Sequence, residues 1–323
     1  MTRKQLVSSL LLLLAAIIWG VAFVAQSVGM EYVGPLTFSA TRSFIGSVVL
    51  LPVIYLFRSK TKASENPEEK QQRRRTLIVG GVVCGTLLAI ATNLQQFGIL
   101  YTSTGKSGFI TACYIVIVPV LGLFLHKKVG SFVWMGVLIA LVGMYFLCIL
   151  SEGGNVETTL PPAYLQIGSL SVNLGDLLLI LCSVAFSFQI MAVDHFSPLV
   201  SGVQLSCIQF LTCGVLSAIG MFLFEKPDIH SILQAWMPIL YAGALSSGVA
   251  YTLQIVGQKN LNPTVASLIM SLESTISVLA GWLILGQQLS VYEIIGCILI
   301  FCALVLAQIP QKPRRRADTG KPK

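Results

Sequence analysis

AFVAQSVGMEYVGPL (Ala22 to Leu36) returns further along the chain as AFSFQIMAVDHFSPL (Ala185 to Leu199). At one constant offset Ala22/Ala185, Phe23/Phe186, Gln26/Gln189, Pro35/Pro198 and Leu36/Leu199 coincide, and the acid Glu31 faces the acid Asp194. Each copy closes an apolar segment and leads through Pro-Leu into the next. The match continues: LQQFG (94–98) aligns with LQIVG (253–257), and LFLHKKVGSFVWMG (123–136) with LILGQQLSVYEIIG (283–296). One fused duplication of a hydrophobic half therefore accounts for the chain.

Composition says what kind of half this is. Of 323 residues, 55% are hydrophobic and only 11% charged, against about 25% charge in a soluble domain, which points to the bilayer. The net charge of +8 raises nucleic acid as a partner. Yet the Lys and Arg gather at the N-terminus, between Arg58 and Arg75, and from Lys312 to Lys323. Basic residues that flank apolar spans are topology signals, and no soluble domain is left to carry a nucleic-acid face. All eight cysteines lie in apolar segments, there is no CxxC, and the three histidines are far apart. They read as packing residues, with no metal or cofactor expected. Leu6 to Val28 is longer than a signal-peptide core and is kept as a membrane helix.

A helix of about 20 apolar residues crosses the hydrocarbon core. Ten such runs are expected, at 6–28, 36–57, 76–99, 104–125, 131–150, 174–194, 202–224, 233–256, 263–285 and 290–308. The charged stretch 58–75 reads as a flexible loop. The expected organisation is a first five-helix repeat (1–150), an extracytoplasmic linker (151–173), a second five-helix repeat (174–310) and a basic tail (311–323). With ten spans both termini share one side. That side collects 18 of the 21 Lys and Arg, while only Lys106 and Lys226 fall opposite and Arg42 lies within the membrane. The positive-inside rule then places both termini in the cytoplasm. Five spans per half makes the repeats inverted. The fold class is an all-α membrane protein of ten transmembrane helices in two inverted five-helix repeats. By this count the first AFxxQ copy ends at the outer face and the second at the cytoplasmic face, so the two are expected at opposite ends of a pathway rather than in one site.

Trp19-Gly20 in helix 1, Arg42 in helix 2, SGFITACYIVIVP (Ser107 to Pro119) in helix 4, Glu273 in helix 9 and the LILGQQL…IIG ending carry a specific resemblance. From about residue 8 to 308 the sequence resembles EamA-type members of the drug/metabolite transporter superfamily. The resemblance implies ten helices in inverted repeats and export of amino acids, related metabolites or drugs. Two departures bear on subgroup and substrate. The turns that in the family carry a Gly-Glu-Arg-like triplet read His126-Lys127-Lys128 and Gly286-Gln287-Gln288, and Ser274 stands where a proline commonly follows the helix-9 glutamate.

A charge near the bilayer centre costs about 2.5–3.5 kcal/mol on insertion scales, which singles out Arg42 and Glu273. Glu273 is expected near the middle of its helix. The two either bind a charged or zwitterionic substrate, with Glu273 also able to exchange a proton, or form a structural ion pair, with Arg42 alternatively snorkelling outward. Amides at lipid depth face protein or a polar cavity. Gln26, Asn93, Gln96, Gln189 and Gln254 are candidates to line the pathway or to bond helix to helix. Trp19, Phe23, Tyr114, Phe186 and Tyr251 are candidates for its apolar wall or for packing. No HExxH, P-loop, GxSxG or dinucleotide fingerprint occurs, so no enzyme is expected.

The sequence thus predicts a secondary transporter of the cytoplasmic membrane that moves small polar or amphipathic metabolites by alternating access. Its partners are a small-molecule substrate, the lipid bilayer and, through Glu273, protons, with no nucleic acid. A channel or a membrane-embedded enzyme is the alternative. A channel lacks a visible selectivity element, and an enzyme lacks clustered catalytic side chains. Oligomeric state is not encoded in any motif.

Overall fold

The computed structural model describes residues 3–56, 67–101, 104–124, 130–146, 163–167, 170–285 and 290–307. The basic tail, His126-Lys127-Lys128, Gly286-Gln287-Gln288 and most of the 151–173 linker lie outside them. The helices in chain order are α1 (Arg3–Gly29), α2 (Pro35–Leu56), α3 (Pro67–Tyr101), α4 (Thr104–Ala112), α5 (Tyr114–Phe124), α6 (Ser131–Tyr145), α7 (Leu174–Phe196) and α8 (Gly202–Phe224). They continue with α9 (Ile229–Gln234), α10 (Trp236–Leu240), a π-helical stretch (Tyr241–Ala250), α11 (Tyr251–Gln258), α12 (Pro263–Met270), α13 (Leu272–Leu285) and α14 (Val291–Ala307). Seven of the described helices are long and apolar enough to cross a membrane; Trp236–Gln258 and Pro263–Ala280 each count as one of them. Shorter apolar helices run over Ile110–Phe124, Ser131–Tyr145 and Val291–Leu306.

Three features differ from the sequence reading. First, the stretch 58–75 is not a loop throughout: α3 starts at Pro67, with Glu68 and Glu69 in its first turn. Proline is preorganised for the first helical position, acids suit the positive end of the helix dipole, and Lys, Gln and Arg are good helix formers. Second, the chain is not purely α-helical. Tyr164–Ile167 (β1) pairs antiparallel with Leu170–Asn173 (β2), and the Asn173 side chain then accepts from the Gly175 N–H to cap α7.

Third, two spans are broken. The helix of residues 104–124 is interrupted at Cys113, and that of 263–285 at Ser271. The second break has a local cause. Ser267, Ser271 and Ser277 donate their hydroxyls to the carbonyls of Thr264, Leu268 and Ser274, a competition with the helix's own bonds that bends helices. At the first break Cys113 and Val116 bond to carbonyls three residues back rather than four. Glu273 therefore stands in the first turn of α13, not midway along an unbroken helix.

Close backbone approach explains the small residues. A Cβ on Gly20 would lie 2.5 Å from Ile276 Cβ and 2.9 Å from the Glu273 carbonyl oxygen, so α1 meets α13 backbone to backbone beside Trp19. Likewise Gly46 of α2 fits against Ser247 of the π-helical stretch, where a Cβ would come within 2.7 Å. Such contacts let helices associate where lipid supplies no hydrophobic force between them. Further α-helical pairings set the architecture: α2 on α8, α3 on α7 and α8, α6 on α14, and α1 on α11, α13 and the π-helical stretch. At one end of the bundle Glu225, just past α8, accepts from the Leu36 and Thr37 N–H groups and the Thr37 hydroxyl at 2.6–2.8 Å. It thereby caps the start of α2 from the other half of the sequence. Ser290 and Glu293 form a reciprocal capping box at the start of α14.

Candidate functional site

The two broken helices meet at a cavity with about 490 Å³ of empty space, its mouth included. α1 supplies Trp19, Phe23 and Gln26, α2 supplies Arg42, and α3 supplies Gln95. Thr111 and Tyr114 flank the break at Cys113, and Met270 and Glu273 flank the break at Ser271. Phe186 and Ile190 come from α7, Ser246 from the π-helical stretch, and Tyr251 and Gln254 from α11. Discontinuous helices and π-helical turns both free backbone for a site inside a membrane protein.

The charged residues are held differently from what an ion pair would give. Glu273 is 8% exposed, and its Oε1 accepts from Tyr114 Oη at 2.9 Å. Arg42 is 4% exposed; its Nη1 donates to Gln26 Oε1 at 3.2 Å, and its guanidinium lies 5.8 Å from the centre of the Phe38 ring. Among the described residues no carboxylate lies within 4 Å of Arg42, so it forms no ion pair with Glu273, nor does it reach out to solvent. Both charges turn to the same cavity. Around them Tyr251 packs edge-on against Trp19 (4.6 Å between centroids) and Phe210 (5.2 Å). Tyr241 Oη fixes α1 by donating to the Ile18 carbonyl at 3.1 Å.

Nine of the twelve sequence candidates line this cavity: Trp19, Phe23, Gln26, Arg42, Tyr114, Phe186, Tyr251, Gln254 and Glu273. Three do not. Asn93 donates to Ser217 of α8 at 2.9 Å, a helix-to-helix bond. Gln96 is fully buried away from the cavity, its amide without a partner among the described residues. Gln189 accepts from Gln254 at 3.4 Å and donates to Gln209 at 3.2 Å, so it stands behind the wall. The two copies of the repeated stretch were expected at opposite ends of the pathway. Instead Phe23, Gln26 and Phe186 share one cavity, because the second copy starts at the middle of α7, well short of that helix's end. Gln95, the neighbour of Gln96, does line the cavity, and sequence reasoning missed Thr111, Ile190, Ser246 and Met270, which carry no charge and look like any packing residue.

Helices of this length and apolarity, wrapped around a charged internal cavity, define a multi-pass membrane protein. The EamA-like transporter family model matches residues 6–149 and again 173–308, and the chain belongs to that family. It is 26% identical to an uncharacterized transporter of Archaeoglobus fulgidus over 95% of this chain and 87% of that protein. It is 24% identical to the uncharacterized transporter YoaV of Bacillus subtilis (90% and 92% covered). The uncharacterized inner membrane transporter YedA of Escherichia coli is also 24% identical (92% and 90%). A solved crystal structure shares the fold, with a TM-score of 0.72 and 18% identity over 93% of this chain and 96% of that one.

Proposed function

We propose that this protein is a secondary transporter of the cytoplasmic membrane that exports small polar or amphipathic metabolites by alternating access. The observation that carries the reading is the cavity itself. It is walled by helices from both halves of the sequence and holds two buried, opposite charges that are not paired with each other. A buried charge is retained at a cost of a few kcal/mol, and a substrate that meets it in the cavity gives that cost a function.

The ten-span architecture in two inverted repeats fits the packing. Exchanging each helix for its counterpart five spans on turns the α3–α7 contact into that of α11 with α1, and maps α2–α8 and α6–α14 onto themselves. Two halves related in this way can rock about the shared cavity. The repeats are residues 1–150 and 174–310, joined outside the cell by 151–173, with both termini and the tail 311–323 in the cytoplasm. Glu273 then has the chemistry to carry a proton during the cycle. Purified protein in proteoliposomes is the test. Saturable flux with counterflow and unaltered product supports a carrier, flux that rises linearly with substrate makes it a channel, and a changed product makes it an enzyme.

A further inference from the structure

We infer that the Arg42 side of the cavity is a carboxylate-binding subsite: the transported molecule carries an acid group that docks against Arg42 and Gln26. The inference rests on the transport reading and narrows its substrate class. Arg42 is always charged and carries five N–H donors. Among the described residues its hydrogen bond goes to a neutral amide, and its guanidinium lies over the Phe38 ring. A guanidinium that is 4% exposed, faces a cavity and has no carboxylate partner among the described residues leaves its charge to be met by the cavity's occupant.

Gln26 sharpens the geometry. Arginine has no acceptor, so the Gln26 atom facing it is the oxygen. Its NH₂ group is then left to donate beside the guanidinium, and Gln26 also lines the cavity. A planar, two-oxygen carboxylate matches a guanidinium fork with a third donor from the amide. A dianion fits less well, because Glu273 already places a negative charge in the same cavity. Trp19 and Phe23 on α1 extend an apolar wall from this point, so an acid with an aromatic or aliphatic body satisfies both surfaces.

The test uses the full-length protein in lipid nanodiscs and two probes of nearly one shape, 3-phenylpropionate and its neutral amide, measured by calorimetry. The acid is expected to bind at least tenfold more tightly than the amide, and Arg42→Gln to erase that preference. If Arg42→Gln does not insert, Arg42→Lys decides. It keeps the charge but not the fork, and the preference is expected to shrink by threefold or more. Equal binding of acid and amide, binding of neither, or an acid preference untouched by the variants overturns the subsite. Saturable flux that ignores Arg42 overturns the subsite and leaves the transport reading. Acid binding without flux in proteoliposomes does the reverse.

Discussion

Tyr114 Oη donates a 2.9 Å hydrogen bond to Glu273 Oε1 across the junction of two interrupted helices. Tyr114 opens α5 directly after the Cys113 break, and Glu273 lies in the first turn after the Ser271 break. α4 packs on α13 and α5 on α12, so the breaks sit at one depth and the bond ties the two halves of the sequence together there. A carboxylate buried at that depth is tolerable because a hydroxyl and a helix N-terminus both face it.

Removing the donor is the direct check of this link. Tyr114→Phe keeps the ring and deletes only the bond, and a hydrogen bond to a charged group contributes about 1.5–3 kcal/mol. Flux is expected to fall about tenfold, with thermal stability in detergent lowered by a few degrees. Unchanged flux and melting temperature would show that the bond couples nothing.

Glu273→Gln separates charge from shape. The amide keeps an acceptor for Tyr114, so insertion and melting temperature are expected to stay close to the wild type. Flux is expected either to vanish or to lose its dependence on an imposed pH gradient, because an amide does not take up a proton in the physiological range. Full pH-dependent transport by Glu273→Gln removes the proton role from this residue.

Gly20 explains why glycine follows Trp19 in the α1 motif. A methyl there would sit 2.5 Å from Ile276 Cβ and 2.9 Å from the Glu273 carbonyl, and backbone cannot yield as a flexible side chain can. Gly20→Ala is expected to cost about 1–3 kcal/mol by overpacking and Gly20→Val more, read as thermal unfolding. Both should reduce flux, since the displaced segment carries Trp19 and Phe23 into the cavity. A neutral Gly20→Val would mean that α1 and α13 are not held this closely.

How much of this could be read from the chain differs by residue. Phe23, Gln26 and Phe186 announced themselves by recurring, and Arg42 and Glu273 by being charged in apolar runs. Gln95 and Gln96 were indistinguishable because neighbouring residues point about 100° apart on a helix and a helix apolar on all sides gives no direction to its inner face. The break at Ser271 hides because serine is an ordinary helix residue until its hydroxyl bonds backward. Glu225 capping α2 joins residues almost two hundred positions apart, which no local pattern records. The pairing of β1 with β2 falls in the stretch 151–173, which the sequence offered only as a linker.

That Glu225 cap gives a further prediction. Its carboxylate satisfies two N–H groups and a hydroxyl at the start of α2, the helix that carries Arg42. Glu225→Ala leaves them without this partner and is expected to cost about 1–3 kcal/mol, and Glu225→Gln less, because the amide oxygen still accepts. Hydrogen exchange should rise at Leu36 and Thr37 in particular; protection there equal to the wild type would show that the cap is not made in the membrane.

The orientation can be checked at residues whose placement is described. Glu68 lies in the exposed first turn of α3, and Tyr164 in β1 is 61% exposed. α3, α4–α5 and α6 separate them, three spans in the ten-span arrangement, so they must lie on opposite sides of the bilayer. In a background with the eight native cysteines replaced, Glu68→Cys is expected to resist a membrane-impermeant maleimide in intact cells and react after lysis. Tyr164→Cys should react in both. The reverse pattern would invert the protein, contrary to the concentration of Lys and Arg beside Glu68. Labelling of both from the same side would remove one span and with it the inverted relation between halves. The shared cavity would then need another explanation, because an odd number of spans per half is what turns the second repeat over.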